Sequence, residues 1–210
     1  MNNNLIRGYY FITDSNLSRN GIFEDVKSAI RAGVSIVQYR EKDKSTRAMY
    51  DEALKLREMI HSGIFIINDR VDIAIAVDAD GVHIGENDMP VSITRRMLGA
   101  EKIIGVTVHT LQEAIKAKKE GADYIGISPI FQTTTKPDAK EPVGVSVISE
   151  IKRNVFLPVV AIGGITFENV TEVIKAGADA ICAISAVLKE EDVEKEIRKF
   201  QKLFESRRER

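Results

Sequence analysis

An α/β fold, a TIM (β/α)8 barrel built as one domain over residues 1–210, follows from three features of this sequence. Short apolar runs rich in β-branched residues alternate with longer amphipathic segments from end to end, and the alternation repeats eight times. The helix-to-strand junctions resemble one another: RAGVSIV, KEGADYIGI and KAGADAICAI, with DADGVHIG as a looser copy, point to a repeated βα unit. The 210 residues are 44% hydrophobic, enough for one sizeable core. An open doubly wound sheet also uses βα units but needs no count of eight, whereas eight strands each followed by a helix close naturally into a barrel.

In chain order, the predicted strands are YYFITD (9–14), SIVQYRE (35–41), IFIIND (64–69), GVHIG (81–85), KIIGVTV (102–108), DYIGISP (123–129), PVVAIGG (158–164) and AICAIS (180–185). Helical patterns with apolar residues three and four apart follow them at 24–32, 45–61, 71–77, 91–98, 110–120, 146–153, 167–176 and 191–204. Residues 189–210 are expected to form a C-terminal helix and tail. Gly33, Gly121 and Gly177 stand where helices should end, because glycine reaches the left-handed conformation that closes a helix without a Cβ penalty.

Charge and cysteine content narrow the function classes. Thirty basic residues balance 31 acidic ones, so no global field recruits nucleic acid, and an anionic ligand must be held by local cations. The single cysteine, Cys182, excludes an internal disulfide framework and fits a reducing compartment. The N-terminal MNNNLIRGYYFITD lacks a signal-peptide core, and no uncharged run reaches the roughly 20 residues that span a bilayer. The expectation is a cytoplasmic protein with small-molecule partners, no membrane and no nucleic acid; a homo-oligomer stays open.

In this fold chemistry gathers at the C-terminal ends of the strands. Strand two changes character there: Ile36, Gln38, Arg40 and Lys42 share one face, while Val37, Tyr39 and Glu41 share the other. A solvated edge would explain two cations on one strand. Yet strand three ends in Asn68 and Asp69, Asp88 follows strand four, and Thr107 lies near the end of strand five. The QTTTK loop with Thr133, Thr134, Thr135 and Lys136 follows strand six, Gly163 and Gly164 end strand seven, and Ser185 ends strand eight. Polar groups from seven successive units therefore converge on one mouth. The glycine pair lets backbone N–H groups approach a phosphate, with a turn or packing role as the alternative. Asp69 and Asp88 offer the hard oxygens that suit Mg2+, although Asp69, flanked by Arg70 and Asp72, also reads as a salt-bridged helix start. His61, His83 and His109 have no zinc spacing and read as structural or exposed. No Ser-His-Asp or Cys-His nucleophile arrangement stands out.

Taken together, QYREK, INDRVDIAIAVDADGVHIGENDMP, GVTVH, DYIGISPIFQTTTKPDA, PVVAIGGITFENV and AGADAICAISAV resemble the thiamine phosphate synthase family over residues 8–188. The resemblance implies a TIM barrel that joins hydroxymethylpyrimidine diphosphate to hydroxyethylthiazole phosphate, or its carboxylated form, with Mg2+ as cofactor and diphosphate released. It implies that Gln38, Tyr39, Arg40, Glu41, Lys42 and Asn68 hold the pyrimidine diphosphate, Thr107 the pyrimidine, and Lys136 the departing diphosphate, with Arg40, Lys42 and Lys136 as the catalytic cations. Asp69 and Asp88 would hold Mg2+, and Thr133, Thr134, Thr135, Gly164, Ile184 and Ser185 the thiazole phosphate. Glu86, Thr107, Ser128 and Gln132 stand where the family usually has glutamine, serine, glycine and proline. Rival readings are the sister thiazole tautomerases, a phosphosugar isomerase barrel, and a non-catalytic sensor of thiazole or thiamine phosphate.

Overall fold

All eight β-branched and aromatic runs form strands in the computed structural model, which describes residues 6–133, 135 and 140–205. They are β1 (Gly8–Ile12), β2 (Ile36–Tyr39), β3 (Ile64–Asn68), β4 (Gly81–Ile84), β5 (Ile103–Val108), β6 (Tyr124–Ile127), β7 (Val159–Ile162) and β8 (Ala180–Cys182). Each pairs in parallel with its sequence neighbours, and β8 pairs with β1, so the sheet is a closed barrel. Helices α1 (Ile22–Arg31), α2 (Thr46–Met59), α3 (Val71–Ala76), α4 (Val91–Leu98), α5 (Leu111–Glu120), α6 (Ser146–Asn154), α7 (Val170–Lys175), α8 (Ile184–Leu188) and α9 (Val193–Glu205) connect and follow the strands. The single-domain (β/α)8 barrel expected from the sequence is therefore the fold.

Because strand side chains alternate, each strand serves two cores. One face, with Tyr9, Val37, Tyr39, Phe65, Ile67 and Ile125, packs against the helices. The other, with Tyr10, Ile12, Ile36, Ile64, Ile66, Tyr124, Val160, Ala180 and Cys182, fills the barrel interior. Cys182 is accordingly a buried free thiol.

The repeated junction phrases have a physical cause. Gly33, Gly121 and Gly177 all adopt positive φ, 80°, 104° and 108°. In three of the four copies an aspartate then precedes the strand. Its carboxylate accepts the N–H of a neighbouring strand's residue and pairs with a basic side chain of a helix: Asp80 takes Phe65 N–H at 2.7 Å and Arg57, Asp123 takes Ile104 N–H at 2.8 Å and Arg95, and Asp179 takes Val159 N–H at 2.7 Å and Lys152. One carboxylate thus fixes the start of a strand to its neighbour and to the helix layer. The fourth copy has Ser35 there, whose hydroxyl donates to the Arg7 carbonyl instead.

The element ends differ from the periodicity by at most three residues, and one element is new. Strand eight stops at Cys182 rather than 185, and Ile184 to Leu188 form the short helix α8, so Ser185 lies in a helical turn. The C-terminal helix α9 packs on α1 and β1; its Gln201 accepts the Tyr9 N–H at 3.0 Å, through a contact that a Cβ on Gly8 would block at 2.3 Å. No described helix is long and apolar enough to cross a membrane.

Candidate active site

The strand ends open into a cavity of about 240 Å³ at the C-terminal mouth. Gln38, Arg40, Lys42, Asn68, Asp69, Asp88, Thr107, Thr133, Thr135, Gly164, Ile184 and Ser185 all line it. Of the other residues singled out from the sequence, Thr134 and Lys136 lie outside the described residues, and the side chains of Tyr39 and Glu41 point elsewhere.

The period of two in QYREK decides that split. Gln38, Arg40 and Lys42 turn inward, so Tyr39 and Glu41 must turn out. Tyr39 donates its hydroxyl to Glu52 of α2 at 2.7 Å and is buried in the helix-facing core. Glu41 accepts from the Ser15 hydroxyl at 2.8 Å and from the N–H groups of Lys42 and Asp43 at 2.8 and 3.0 Å, and pairs with Lys44 at 3.2 Å. Placing these two side chains on the pyrimidine diphosphate is therefore corrected: one anchors β2 to α2, the other shapes the loop that carries Lys42. Burial alone would raise the Glu41 carboxyl, but this ring of donors holds it below the usual carboxylate range. Replacing Glu41 by alanine is expected to cost about 3 kcal/mol in urea unfolding near neutral pH. A depressed folded pKa stabilises above the unfolded value, so the gap between variant and wild type should close as pH falls below that range. A gap that stays constant down to acid pH would mean that the charge plays no part.

One end of the cavity is strongly charged. Arg40 is mostly buried and pairs with Asp14 at 3.0 Å, while its Nε has no partner among the described residues. Lys42 pairs with Asp69. Asp69 follows β3 in the left-handed conformation, φ 59°, which a short polar side chain tolerates, and its N–H donates to the His83 carbonyl at 2.8 Å. Asp88 accepts the Gly85 N–H at 2.7 Å, which holds the turn after β4. The Asp69 and Asp88 carboxyls lie close enough to act on each other's protonation. Burial and the neighbouring Asp69 push the Asp88 carboxyl up from the ordinary carboxylate value. Burial alone would raise Asp69, but its contacts with Asp88 and Lys42 hold it below the ordinary carboxylate value. Two neighbouring carboxyls beside an open, polar cavity have the chemistry of a hard divalent-cation site. Among the described residues no third Asp, Glu, His or Cys joins them. The pair fits an ion such as Mg2+ that keeps several waters and completes its shell with ligand phosphate oxygens.

The opposite end is neutral and made of backbone. Gly163 and Gly164 both have positive φ, 97° and 62°. Their missing Cβ atoms also admit the loop after β6: a Cβ on Gly163 would lie 2.6 Å from Pro129 Cβ, and one on Gly164 would lie 2.4 Å from the Gln132 carbonyl oxygen. Packing and backbone access thus act together. Ile184 and Ser185 open α8 beside them, the short extra helix that in this fold accompanies phosphate seats after strands seven and eight.

Several residues at the mouth were not legible from spacing. Asp14, the partner of Arg40, comes from the loop after β1. Glu86 and Lys140 form an exposed ion pair across the rim, joining the loops after β4 and β6. His83, read as structural or exposed, is buried and reaches the cavity wall beside Thr107, with which it shares a 2.8 Å hydrogen bond.

A family profile described as thiamine monophosphate synthase matches residues 9–187. The thiamine-phosphate synthase of Methanosarcina mazei is 53% identical over 193 residues, covering 91% of this chain and 80% of that protein. The corresponding protein of Methanosarcina barkeri is 52% identical, covering 91% and 88%. A solved structure of thiamine phosphate pyrophosphorylase from Pyrococcus furiosus superposes with a TM-score of 0.89 at 40% identity, covering 97% of this chain and 98% of that one. On fold, sequence and extent of match, the chain belongs to the thiamine monophosphate synthase family of enzymes.

Proposed function

We propose that this enzyme joins hydroxymethylpyrimidine diphosphate to hydroxyethylthiazole phosphate, giving thiamine phosphate and diphosphate. The observation that carries this reading is the two-ended cavity: a buried cationic and dicarboxylate end suits a diphosphate, and a glycine-lined end suits a single phosphate. In this reading Asp69 and Asp88 would hold Mg2+, which would supply charge neutralisation for a diphosphate leaving group. Arg40 and Lys42, which line the same end of the cavity, bind the same group. Asn68 adds an amide beside them. Gly164, Ile184, Ser185, Thr133, Thr134 and Thr135 seat the thiazole phosphate, while Lys136 of the same loop contacts the departing diphosphate.

The bond between the pyrimidine methylene carbon and the diphosphate oxygen breaks with its electron pair leaving on oxygen. The thiazole nitrogen then forms the new C–N bond with its own lone pair. No proton is removed from either reacting atom, so the absence of a nucleophile-base pair from the reading is no obstacle. What the residues supply is charge stabilisation and alignment.

Purified protein given both substrates and magnesium should form thiamine phosphate and diphosphate together, and chelation should stop both. Tight binding of thiazole phosphate with neither product formed would sink the proposal in favour of a sensor. Thr107→Val, which removes the hydroxyl at nearly constant shape, is expected to weaken pyrimidine diphosphate binding roughly tenfold. Thr107→Ser should bind like wild type, and equal affinity in all three would remove Thr107 from the pyrimidine site.

A further inference from the structure

The barrel interior contains a continuous polar path that an apolar core does not need. Gln38 Nε2 donates to the Tyr10 hydroxyl at 2.8 Å, the Tyr10 and Tyr124 hydroxyls lie 2.7 Å apart, and Tyr124 meets His83 Nδ1 at 2.9 Å. His83 Nε2 then meets the Thr107 hydroxyl at 2.8 Å. The path starts and ends at the cavity wall, on β2 and β5, and crosses the barrel below it. Two glycines make room for it. A Cβ on Gly105 would lie 2.0 Å from Tyr124 Cζ, and one on Gly126 would lie 2.9 Å from His83 Cε1.

Proton accounting gives the path a direction. The Gln38 amide nitrogen can only donate, so the Tyr10 oxygen accepts there. Among the described residues the other partner of the Tyr10 hydroxyl is Tyr124, so Tyr10 must donate to Tyr124 or leave its own proton without an acceptor in a fully buried place. Tyr124 then donates to Nδ1, the imidazole proton sits on Nε2, and Nε2–H donates to the Thr107 oxygen. The Thr107 proton is left to point into the cavity. Burial keeps both phenols protonated, since it raises each well above the ordinary tyrosine value.

We infer that Tyr10, Tyr124 and His83 are positioning residues that make Thr107 a hydrogen-bond donor toward the ligand and so select an aminopyrimidine ring. The acceptor that Thr107 requires is an unprotonated ring nitrogen. The free carbonyl oxygen of Gln38, at the other end of the path, is complementary to an amino N–H. A 4-oxo ring carries a hydrogen on that nitrogen and a carbonyl in place of the amine, so it opposes both ends. This specificity rests on the substrate reading above.

Two measurements test it. Long-range 15N–1H correlation spectra of the histidine-labelled full chain, with signals assigned through His61→Gln and His109→Gln, should show His83 as the Nε2–H tautomer; the Nδ1–H tautomer would overturn the direction of the path. Calorimetry should show wild type preferring hydroxymethylpyrimidine diphosphate to its 4-oxo counterpart. His83→Leu should lose about tenfold of that preference, with thiazole phosphate affinity unchanged, and His83→Gln, which keeps an N–H where Nε2 stood, should retain it. A leucine variant that discriminates like wild type, or that loses both ligands equally, refutes the positioning role. If the leucine variant does not fold, the wild-type tautomer still decides. Failure of wild type to bind either pyrimidine and to form thiamine phosphate would remove the substrate reading, while the tautomer result would stand on its own.

Discussion

Asp88→Asn is expected to cut turnover by about 10²–10³-fold while leaving the affinity for thiazole phosphate within a factor of about two. The substitution is chosen for what it keeps. The asparagine oxygen can still accept the Gly85 N–H that Asp88 receives at 2.7 Å, so the turn after β4 stays closed. What it removes is the second negative charge beside Asp69. In the wild type, burial and the neighbouring Asp69 raise the Asp88 carboxyl, and a cation held between the two would offset that repulsion. In the variant the cation loses one of its two protein charges, and the departing diphosphate loses the ion that would neutralise it. The thiazole end is built from other strands, so its phosphate seat has no reason to change. Raising magnesium should recover part of the lost rate, because the defect is one of ion affinity. Steady-state kinetics against magnesium, with thiazole phosphate binding by calorimetry, checks both halves. Unchanged turnover would remove the metal assignment, and parallel loss of both ligands would mean that the turn had collapsed.

The fold and half of the mouth could be read because they follow from short-range periodicities. Alternation along β2 put Gln38, Arg40 and Lys42 on one face, and the structure keeps them there. The same alternation already placed Tyr39 and Glu41 on the other face; the family resemblance treated QYREK as one block and overrode it. Strand eight was overrun because AICAI, up to Ser185, is apolar throughout, and a uniform run does not distinguish a strand from the first turn of a buried helix. The partners hidden from the sequence are those set by sequence-distant contacts. Asp14 meets Arg40 across 26 positions, and Glu86 meets Lys140 across 54. The tyrosine-histidine path was invisible because an inward tyrosine reads as core. Its one sequence signal was glycine inside two predicted strands, at Gly105 and Gly126, where a neighbouring ring needs the space.

Arg40→Met is expected to lower turnover by at least about 10²-fold and also to destabilise the protein, and the two effects should separate in a double variant. Arg40 and Asp14 are mostly buried together, so removing the guanidinium leaves a carboxylate with a reduced set of partners. Breaking a buried pair from one side costs about 3–5 kcal/mol. Asp14 also accepts from the N–H groups of Asn16 and Leu17 at 3.2 Å each, which places the expected loss near the lower bound, about 3 kcal/mol. Asp14→Asn in the same chain removes the uncompensated charge and keeps an acceptor for those N–H groups, so Arg40→Met/Asp14→Asn should recover most of the stability. Activity should not return with it, because the group that faces the diphosphate is still missing. Chemical unfolding and steady-state kinetics on the two single variants and the double variant complete the cycle. If activity recovers along with stability, Arg40 serves only to hold the loop after β1 against β2, and the cationic end of the cavity reduces to Lys42 and the residues beyond β6.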